Sequence, residues 1–224
     1  LGEYTALVAA GALSFADALA LVRYRAQAMQ QAVPEGTGGM AAILGLDDAI
    51  IETICRDITA QTNGESLEPA NFNAPGQVVI AGHKNAIQQG IELAKTKGAK
   101  RAIMLPMSIP SHCSLMKPAA EQMKQQLEKV PLHAPDLPIL HNADVKSHTN
   151  PATIKDRLVQ QLVSPVRWVD TIRAIAATGV THVVECGPGK VLAGLNKRID
   201  QNLQQLSLAD SETIKQAVNQ LKAS

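Results

Sequence analysis

Segments with the pattern of a β-strand alternate with segments with the pattern of an α-helix, and this alternation limits the fold more than any other feature of the chain. From residue 40 the apolar run MAAILGL precedes the helical pattern DDAIIETICRDI, and the apolar run QVVIAG precedes KNAIQQGIELAKTKG. Short apolar strands that alternate with amphipathic helices are typical of α/β proteins. We therefore predict an α/β fold and, for the part of the chain outside 39–106, a mainly parallel sheet that helices cover on both faces.

The stretch 39–106 has an order of elements of its own. Strand and helix patterns follow one another as β-α-β-β-α-β, at 40–46, 47–58, 70–74, 77–82, 84–98 and 100–107. This order is typical of the ferredoxin-like unit. The flexible sequence PEGTGG at 34–39 precedes the stretch and is typical of a boundary. We predict a ferredoxin-like small subdomain at 39–106, inserted into a larger domain formed by 1–38 and 107–224.

The larger domain is predicted to continue the alternation of strands and helices. LPILHNADVK at 137–146 has the pattern of a strand, and the patterns at 151–162 and 164–179 are helical. The stretch 180–199 predicts a buried strand, a tight Gly-Pro-Gly turn and a helix.

Charge, hydropathy and cysteine content exclude several classes of function. The formal net charge is +1 and the basic residues are scattered, whereas a nucleic-acid surface needs a basic stripe. No apolar run approaches the roughly 18 residues that a membrane span requires. Cys55, Cys113 and Cys186 show no metal or redox spacing. We expect no nucleic-acid partner, no membrane partner, no metal site, and a reducing, cytoplasmic environment.

Arg25 is the first residue that suggests chemistry. A helical pattern runs from Phe15 to Val33, and Ser14 with Asp17 forms a candidate cap at its start. At about 100° per residue, Arg25 falls on the apolar face of this helix. An inward-facing arginine needs an anionic partner because an unpaired buried charge is costly. The pattern leaves two interpretations: a structural salt bridge, or a clamp for a substrate carboxylate.

His112 is the second candidate. It lies in MSIPSHCS, a predicted loop between a strand and a helix, where general bases are often found, although a loop histidine is more commonly a surface residue. The adjacent Cys113 suggests a Cys/His pair, but neighbouring side chains point apart, so we do not expect Cys113 to be a nucleophile. GPGK at 187–190 lacks the full spacing of a phosphate-binding loop and is predicted to be a tight turn.

LGEYTALVAAGAL at the start of the chain and five later blocks resemble successive segments of one enzyme family. The later blocks are SFADALALVRYRAQAMQQAVPEGTGGMAAILGL, NFNAPGQVVIAG, LPMSIPSHCSLMKPAA, LVQQLVSPVRW and ECGPGKVLAGL. The family is that of the malonyl-CoA:acyl carrier protein transacylases, in which the first block follows the nucleophile in the motif G-H-S-L-G-E-Y. The similarity extends over essentially all 224 residues. It implies an α/β-hydrolase-like core with a mainly parallel sheet and an inserted ferredoxin-like subdomain.

The resemblance also implies a role for four residues. The nucleophilic serine would directly precede Leu1 and so is not in the chain, and the backbone N–H of Leu1 would donate to the oxyanion. His112 matches the general base, which takes the serine proton and returns one to the leaving thiol. The main-chain carbonyl of Gln161 matches the group that orients this histidine. Arg25 matches the arginine that grips the malonyl carboxylate.

The reaction implied by the resemblance is ping-pong acyl transfer that supplies fatty acid synthesis. A malonyl group would pass from malonyl-CoA to the phosphopantetheine thiol of acyl carrier protein through a serine acyl-enzyme. We expect no metal or redox cofactor, and a cytoplasmic monomer whose partner is acyl carrier protein. Three alternatives stay open: the acyltransferase domain of a polyketide-type synthase, a serine hydrolase and a non-enzymatic binding module.

Overall fold

The computed structural model describes residues 2–223, which form two compact units. The first unit comprises the chain up to Phe72 together with Gly76–Arg167, and the second comprises Asn73–Pro75 together with the chain from Trp168 onward. Helices and strands both occur throughout the described residues. The protein is therefore of the mixed α/β class that the sequence predicts.

The secondary-structure elements are numbered along the chain. The helices are α1 (Gly2–Ala9), α2 (Phe15–Gln31), α3 (Asp48–Gln61), α4 (Lys84–Thr96), α5 (Lys117–Glu128), α6 (Pro151–Gln160), α7 (Trp168–Ala176), α8 (Val191–Ile199) and α9 (Ser211–Ala223). The strands are β1 (Gly38–Leu44), β2 (Leu67–Ala74), β3 (Gln77–His83), β4 (Arg101–Met104), β5 (His182–Cys186) and β6 (Gln204–Leu208). A short 3-10 helix, Ser114–Met116, precedes α5.

A four-stranded sheet has the order β2-β3-β1-β4. β1 pairs antiparallel with β3, where Gly38 lies opposite His83, and antiparallel with β4, where Leu44 lies opposite Arg101. The chain passes from β2 to β3 through Pro75 and Gly76, and so short a connection can join only antiparallel neighbours. With α3 after β1 and α4 after β3, the order along the chain is β-α-β-β-α-β.

The mainly parallel sheet of the prediction is found only in part. Parallel pairing joins β5 to β6, with His182 opposite Gln204 and Cys186 opposite Leu208, whereas β1 is antiparallel to both of its neighbours. An apolar run predicts a buried strand but not the direction of the strand beside it. β6 was not predicted, because its sequence QQLSL offers two apolar residues in five.

Four helices of the first unit build the core that carries the site. α1, α2, α5 and α6 contribute fully buried side chains, among them Leu7, Leu21, Met123 and Leu158. The hydroxyl of Ser14 accepts the N–H of Asp17 at 3.1 Å and so caps α2 as predicted. The side chain of Asn150 caps α6 by accepting two backbone N–H groups, and Pro151 occupies the first helical position. Both helices therefore begin at well-defined residues.

The predicted strand at 137–146 is wrong. This stretch is a loop with one isolated antiparallel bridge, between Leu140 and Ser147. Val145 adopts a positive φ of 57°, and its N–H donates to the carbonyl of His141 at 2.8 Å. The polar run HNADVK supplies turn-forming residues that outweigh the three apolar residues before it.

The second unit contains the predicted strand, turn and helix at 180–199. β5 ends at Cys186, and α8 begins at Val191 after the Gly-Pro-Gly turn. Within this unit the indole N–H of Trp168 donates to the side-chain oxygen of Asn196 at 2.9 Å. Across residues 2–223, none of the helices has the length and apolar character needed to cross a membrane.

Candidate active site

Arg25 lies on the buried face of α2. Its neighbours on this face include Leu21 and Ala28, and Arg25 itself is only 9% exposed. One terminal nitrogen, Nη2, donates to Oε1 of Gln161 at 2.9 Å. The Nε of Arg25 has no hydrogen-bond partner among the described residues. A buried guanidinium thus has a single neutral acceptor from this part of the chain and donors left over.

The charge of Arg25 is not neutralised by an ion pair in the described part of the chain. Burial lowers the pKa of Arg25 from its ordinary value, and Tyr4 and Glu3, whose ionised forms favour the guanidinium, act in the opposite direction. Burial also raises the pKa of Tyr4, to about 12, so its hydroxyl stays neutral. Because a guanidinium remains protonated under almost all conditions, this position attracts an anion. That environment favours the carboxylate clamp over the structural salt bridge.

His112 lies in the loop between β4 and the 3-10 helix. Its backbone has a positive φ of 63°, which is uncommon for a residue other than glycine. The ring nitrogen Nδ1 lies 2.7 Å from the main-chain oxygen of Gln161. A carbonyl oxygen can only accept, so Nδ1–H must donate, and in the neutral ring Nε2 carries the lone pair. The geometry therefore gives His112 the tautomer that a general base requires.

The surroundings of His112 keep its ring neutral. Burial lowers the pKa of His112 from its ordinary value of 6.5, and the positive charge of Arg25 lowers it further, against the opposing effect of the Gln161 carbonyl. A histidine with a lowered pKa is unprotonated at neutral pH. It can therefore accept a proton from a nucleophile.

Gln161 joins the two predicted residues. It lies at the C-cap of α6 and is 2% exposed. Its main-chain oxygen binds His112, and its side-chain oxygen binds Arg25. Three of the four residues predicted from the resemblance therefore lie together, because Gln161 contacts both Arg25 and His112. The fourth, Leu1, lies outside the described residues.

Sequence reasoning missed Glu3, a buried carboxylate beside this site. It is 5% exposed, and its Oε1 accepts the backbone N–H of Asn142 at 2.7 Å. The ring of the fully buried His141 lies 3.4 Å from the same oxygen. A glutamate in the first turn of a helix usually indicates a solvated position, and no local signal points to partners about 140 residues away.

Two further contacts near His112 were also missed. Both carboxylate oxygens of Glu68, on β2, accept the backbone N–H of Ser114, at 3.1 and 3.2 Å. The Ser114 hydroxyl donates to the same carboxylate. Farther along β2, the backbone of Ala70 and Phe72 pairs with Val166. None of these residues carries a sequence signal, because each contact depends on how distant segments pack.

Other candidates from the sequence do not form a site. Cys113 is fully buried, burial raises the pKa of its thiol to about 12, and its sulfur donates to the carbonyl of Pro110 at 3.2 Å. The thiol is therefore not a nucleophile at neutral pH. At the GPGK turn, the carboxylate of Glu185 accepts the N–H groups of Leu192 and Ala193, and so it occupies the helix end that a phosphate would need. The described residues contain no cluster of three or more potential metal ligands.

The chain is similar in sequence and in fold to several known proteins. The acyl transferase domain family matches residues 1–218. The chain is 51% identical over 220 residues to the malonyl CoA-acyl carrier protein transacylase of Salmonella typhimurium, covering 98% of this chain and 70% of that protein. An acyl-carrier-protein S-malonyltransferase from Burkholderia pseudomallei is 56% identical with a TM-score of 0.94, and the match covers 97% of this chain and 70% of that one. A malonyl-transacylase solved in complex with a type II PKS acyl-carrier protein is 44% identical with a TM-score of 0.94, over 97% of this chain and 70% of the other.

Proposed function

This chain belongs to the acyl transferase domain family, within the malonyl CoA-acyl carrier protein transacylases, and on that basis we propose that it transfers a malonyl group from malonyl-CoA to the phosphopantetheine thiol of acyl carrier protein. The relatives carry this activity in their names, and one of them was solved with a carrier protein bound. The acceptor is thus a carrier-protein thiol. The product is a malonyl thioester, which fatty acid synthesis consumes.

The observation that carries this proposal is the double contact of Gln161. Through it, a buried arginine whose Nε has no partner among the described residues and a histidine whose Nδ1 is held by a carbonyl belong to one site. A carboxylate bound to Arg25 would place an acyl group of fixed length near the base. Malonyl-CoA has a carboxylate and a thioester separated by one methylene group, so it satisfies both residues at once.

The first half of the proposed reaction forms an acyl-enzyme. The nucleophile is the serine that precedes Leu1 in the family motif; its Oγ attacks the thioester carbonyl carbon while its proton passes to Nε2 of His112. The backbone N–H of Leu1 stabilises the resulting oxyanion. When the intermediate collapses, the C–S bond breaks and His112 gives its proton to the sulfur. A malonyl-serine ester and the CoA thiol are then present.

The second half reverses these steps with a different thiol. The phosphopantetheine thiol gives its proton to His112, its sulfur attacks the ester carbonyl, and the serine oxygen leaves with that proton. Throughout, the Gln161 carbonyl holds the ring in one tautomer. Because protons move only between serine, histidine and the thiols, the proposed reaction uses no metal or redox cofactor.

The proposal includes the finer architecture. We assign 39–106 to a ferredoxin-like subdomain, because its strand order β4-β1-β3-β2 with two crossover helices is that of such a unit. The stretches 1–38 and 107–224 then belong to an α/β-hydrolase-like core, of which the parallel pair β5 and β6 is a part. The three free cysteines agree with a cytoplasmic protein, and we propose that it acts as a monomer.

A substitution of Arg25 tests the proposed function. Arg25→Ala should abolish most malonyl transfer to carrier protein while sparing or improving transfer of acetyl groups, because only an acyl group with a free carboxylate needs the guanidinium. The measurement is the ratio of the initial rate with malonyl-CoA to that with acetyl-CoA, in the variant and in the protein as its natural gene encodes it. Arg23→Ala is the matched control, since Arg23 is an exposed arginine of the same helix.

Three outcomes would contradict the proposal. Equal losses for both acyl groups would make Arg25 a structural residue. Release of free malonate faster than transfer to the carrier protein would identify a serine hydrolase instead. No malonyl transfer by the natural protein, with carrier-protein binding unchanged in His112→Gln, would identify the non-enzymatic binding module.

A further inference from the structure

Strand β2 is hydrogen-bonded to two segments of the chain, one that follows His112 and one that follows Gln161. At its start, the Glu68 carboxylate accepts the N–H and the hydroxyl of Ser114, two residues after His112. Farther along, the Phe72 N–H donates to the Val166 carbonyl at 2.9 Å, and the Val166 N–H donates to the Ala70 carbonyl at 2.8 Å. Val166 follows Gln161 by five residues. All of these residues belong to the first compact unit.

The loop that carries His112 needs such an anchor. A positive φ at a residue with a side chain is unfavourable and persists only where the surroundings enforce it. Before His112, the loop is fixed by the Ser111 N–H, which donates to the Ile109 carbonyl at 3.0 Å. After His112, Cys113 is buried, and Ser114 begins the 3-10 helix. The carboxylate of Glu68 holds this second end.

The chemistry of the Glu68 contact suits an anchor. A carboxylate that accepts one backbone N–H through both oxygens, and a hydroxyl as well, restrains Ser114 in position and in orientation. It also lies at the N-terminal end of a helical segment, where negative charge is stabilised. By contrast, the charges that act on the His112 ring include those of Arg25 on α2 and Glu3 on α1. Glu68 acts on the loop and not on the ring.

We propose that Glu68 is a positioning residue for His112. Through Ser114 it fixes the loop on which His112 lies, while the same strand fixes the segment after Gln161 through Val166. β2 therefore sets the separation between the His112 ring and the Gln161 carbonyl. This inference rests on the proposed function, in which His112 is the general base.

Replacement of Glu68 should change kcat and the pKa of His112 but not KM. Without its anchor, the loop relaxes from the unfavourable φ, and the ring loses its 2.7 Å contact with Gln161 and gains water. We expect kcat to fall on the order of ten- to a hundredfold in Glu68→Ala, since displacement of a catalytic group by about 1 Å has an effect of this size. KM should change little, because Arg25 still binds the carboxylate. The pKa of His112 should rise towards its ordinary value as the ring becomes solvated.

Three further variants and one control test this beside Glu68→Ala, in the protein as its natural gene encodes it. Glu68→Gln should retain most of kcat, because its amide oxygen can still accept from Ser114. Ser114→Ala should lose less than Glu68→Ala, because it keeps the backbone N–H bond, and the double variant should lose no more than Glu68→Ala alone. Glu65→Ala is the control: it removes a carboxylate just before β2 that binds Asn85 instead of the His112 loop.

The His112 pKa, measured by NMR titration, separates this inference from the proposed function. Its resonance is assigned by its disappearance in His112→Gln, and the titration needs no turnover. If His112→Gln keeps full activity, the proposed role of His112 fails. If His112→Gln is inactive but Glu68→Ala matches Glu65→Ala in both kcat and His112 pKa, the positioning role of Glu68 is wrong. A loss of kcat in Glu68→Ala with an unmoved His112 pKa and no recovery in Glu68→Gln would also overturn it, since general destabilisation explains that pattern.

Discussion

At the scale of single residues, the candidate base is oriented by a neutral carbonyl group. In a Ser-His-Asp triad, a carboxylate holds the ring and stabilises the imidazolium. Here the Nδ1–H of His112 donates to the main-chain oxygen of Gln161, while burial and Arg25 both oppose protonation. In the proposed reaction, the His112 imidazolium is therefore less stabilised than in such a triad. This favours rapid return of the proton to the leaving thiol.

A pair of neighbouring variants tests which side chain in this loop performs chemistry. His112→Gln should lower kcat by about two to four orders of magnitude, the usual contribution of a general base. Cys113→Ala should keep most of the activity, because burial raises the pKa of that thiol to about 12 and leaves it protonated. The measurement is malonyl transfer to carrier protein. Equal losses in the two variants would contradict this division of roles and revive Cys113 as a nucleophile.

At the scale of elements, the site depends on where two helices begin and end. The Ser14 cap sets the start of α2 and thereby the turn on which Arg25 lies. The Asn150 cap sets the start of α6, and this helix ends at its C-cap, Gln161. A loosened start of either helix would change the alignment of Arg25 with the side-chain oxygen of Gln161. Secondary structure thus determines the geometry of the site from a distance of several turns.

The Asn150 cap offers a prediction at this scale. Asn150→Ala should lower the free energy of unfolding by about 1 kcal/mol, because two backbone N–H groups at the start of α6 lose their acceptor. Asn150→Asp should be close to the natural protein, since aspartate caps equally well. Urea denaturation measures both. Identical midpoints for the alanine and aspartate variants would show that the cap does not stabilise the fold.

Periodicity and local motifs predicted the parts of the site that depend on neighbouring residues. The apolar pattern of α2 was enough to predict that Arg25 faces inward, and in the structure Arg25 is 9% exposed. The partner of Arg25 lies 136 residues away, and Glu68 and Ser114 are 46 residues apart. Such pairs are set by packing, which a pattern within one segment does not contain. For the same reason, the apolar run after residue 180 predicted β5 but not β6, the parallel strand beside it.

At the scale of the whole molecule, the half-buried His112 links stability to pH. In the folded protein its pKa is lowered, so the unfolded chain binds a proton at higher pH than the folded protein does. Its contribution to stability is present above the ordinary value of 6.5 and is lost as the pH falls through the lowered folded value. The slope from this one proton is at most about 1.4 kcal/mol per pH unit.

Unfolding in urea between about pH 8 and about pH 5 measures this linkage. His112→Gln should show a shallower loss of unfolding free energy than the natural protein, because it lacks the group with the lowered pKa. The control is His133→Gln, an exposed histidine of the same unit, which should keep the steeper dependence. A slope that is the same in all three proteins would mean that His112 is not protected from protonation in the folded state.

The double contact of Gln161 has a consequence for how this enzyme can change over evolutionary time. A substitution at Arg25 that admits a different acyl group also leaves the amide of Gln161 without its partner. The same residue orients His112, but through its main-chain carbonyl at the end of α6 rather than through its side chain. A new acyl preference acquired at Arg25 alone can therefore arise while the candidate base keeps its orientation. A later substitution at Gln161 can then restore a partner for the side chain at that position while the main-chain carbonyl stays in place, so acyl preference and base orientation can evolve separately.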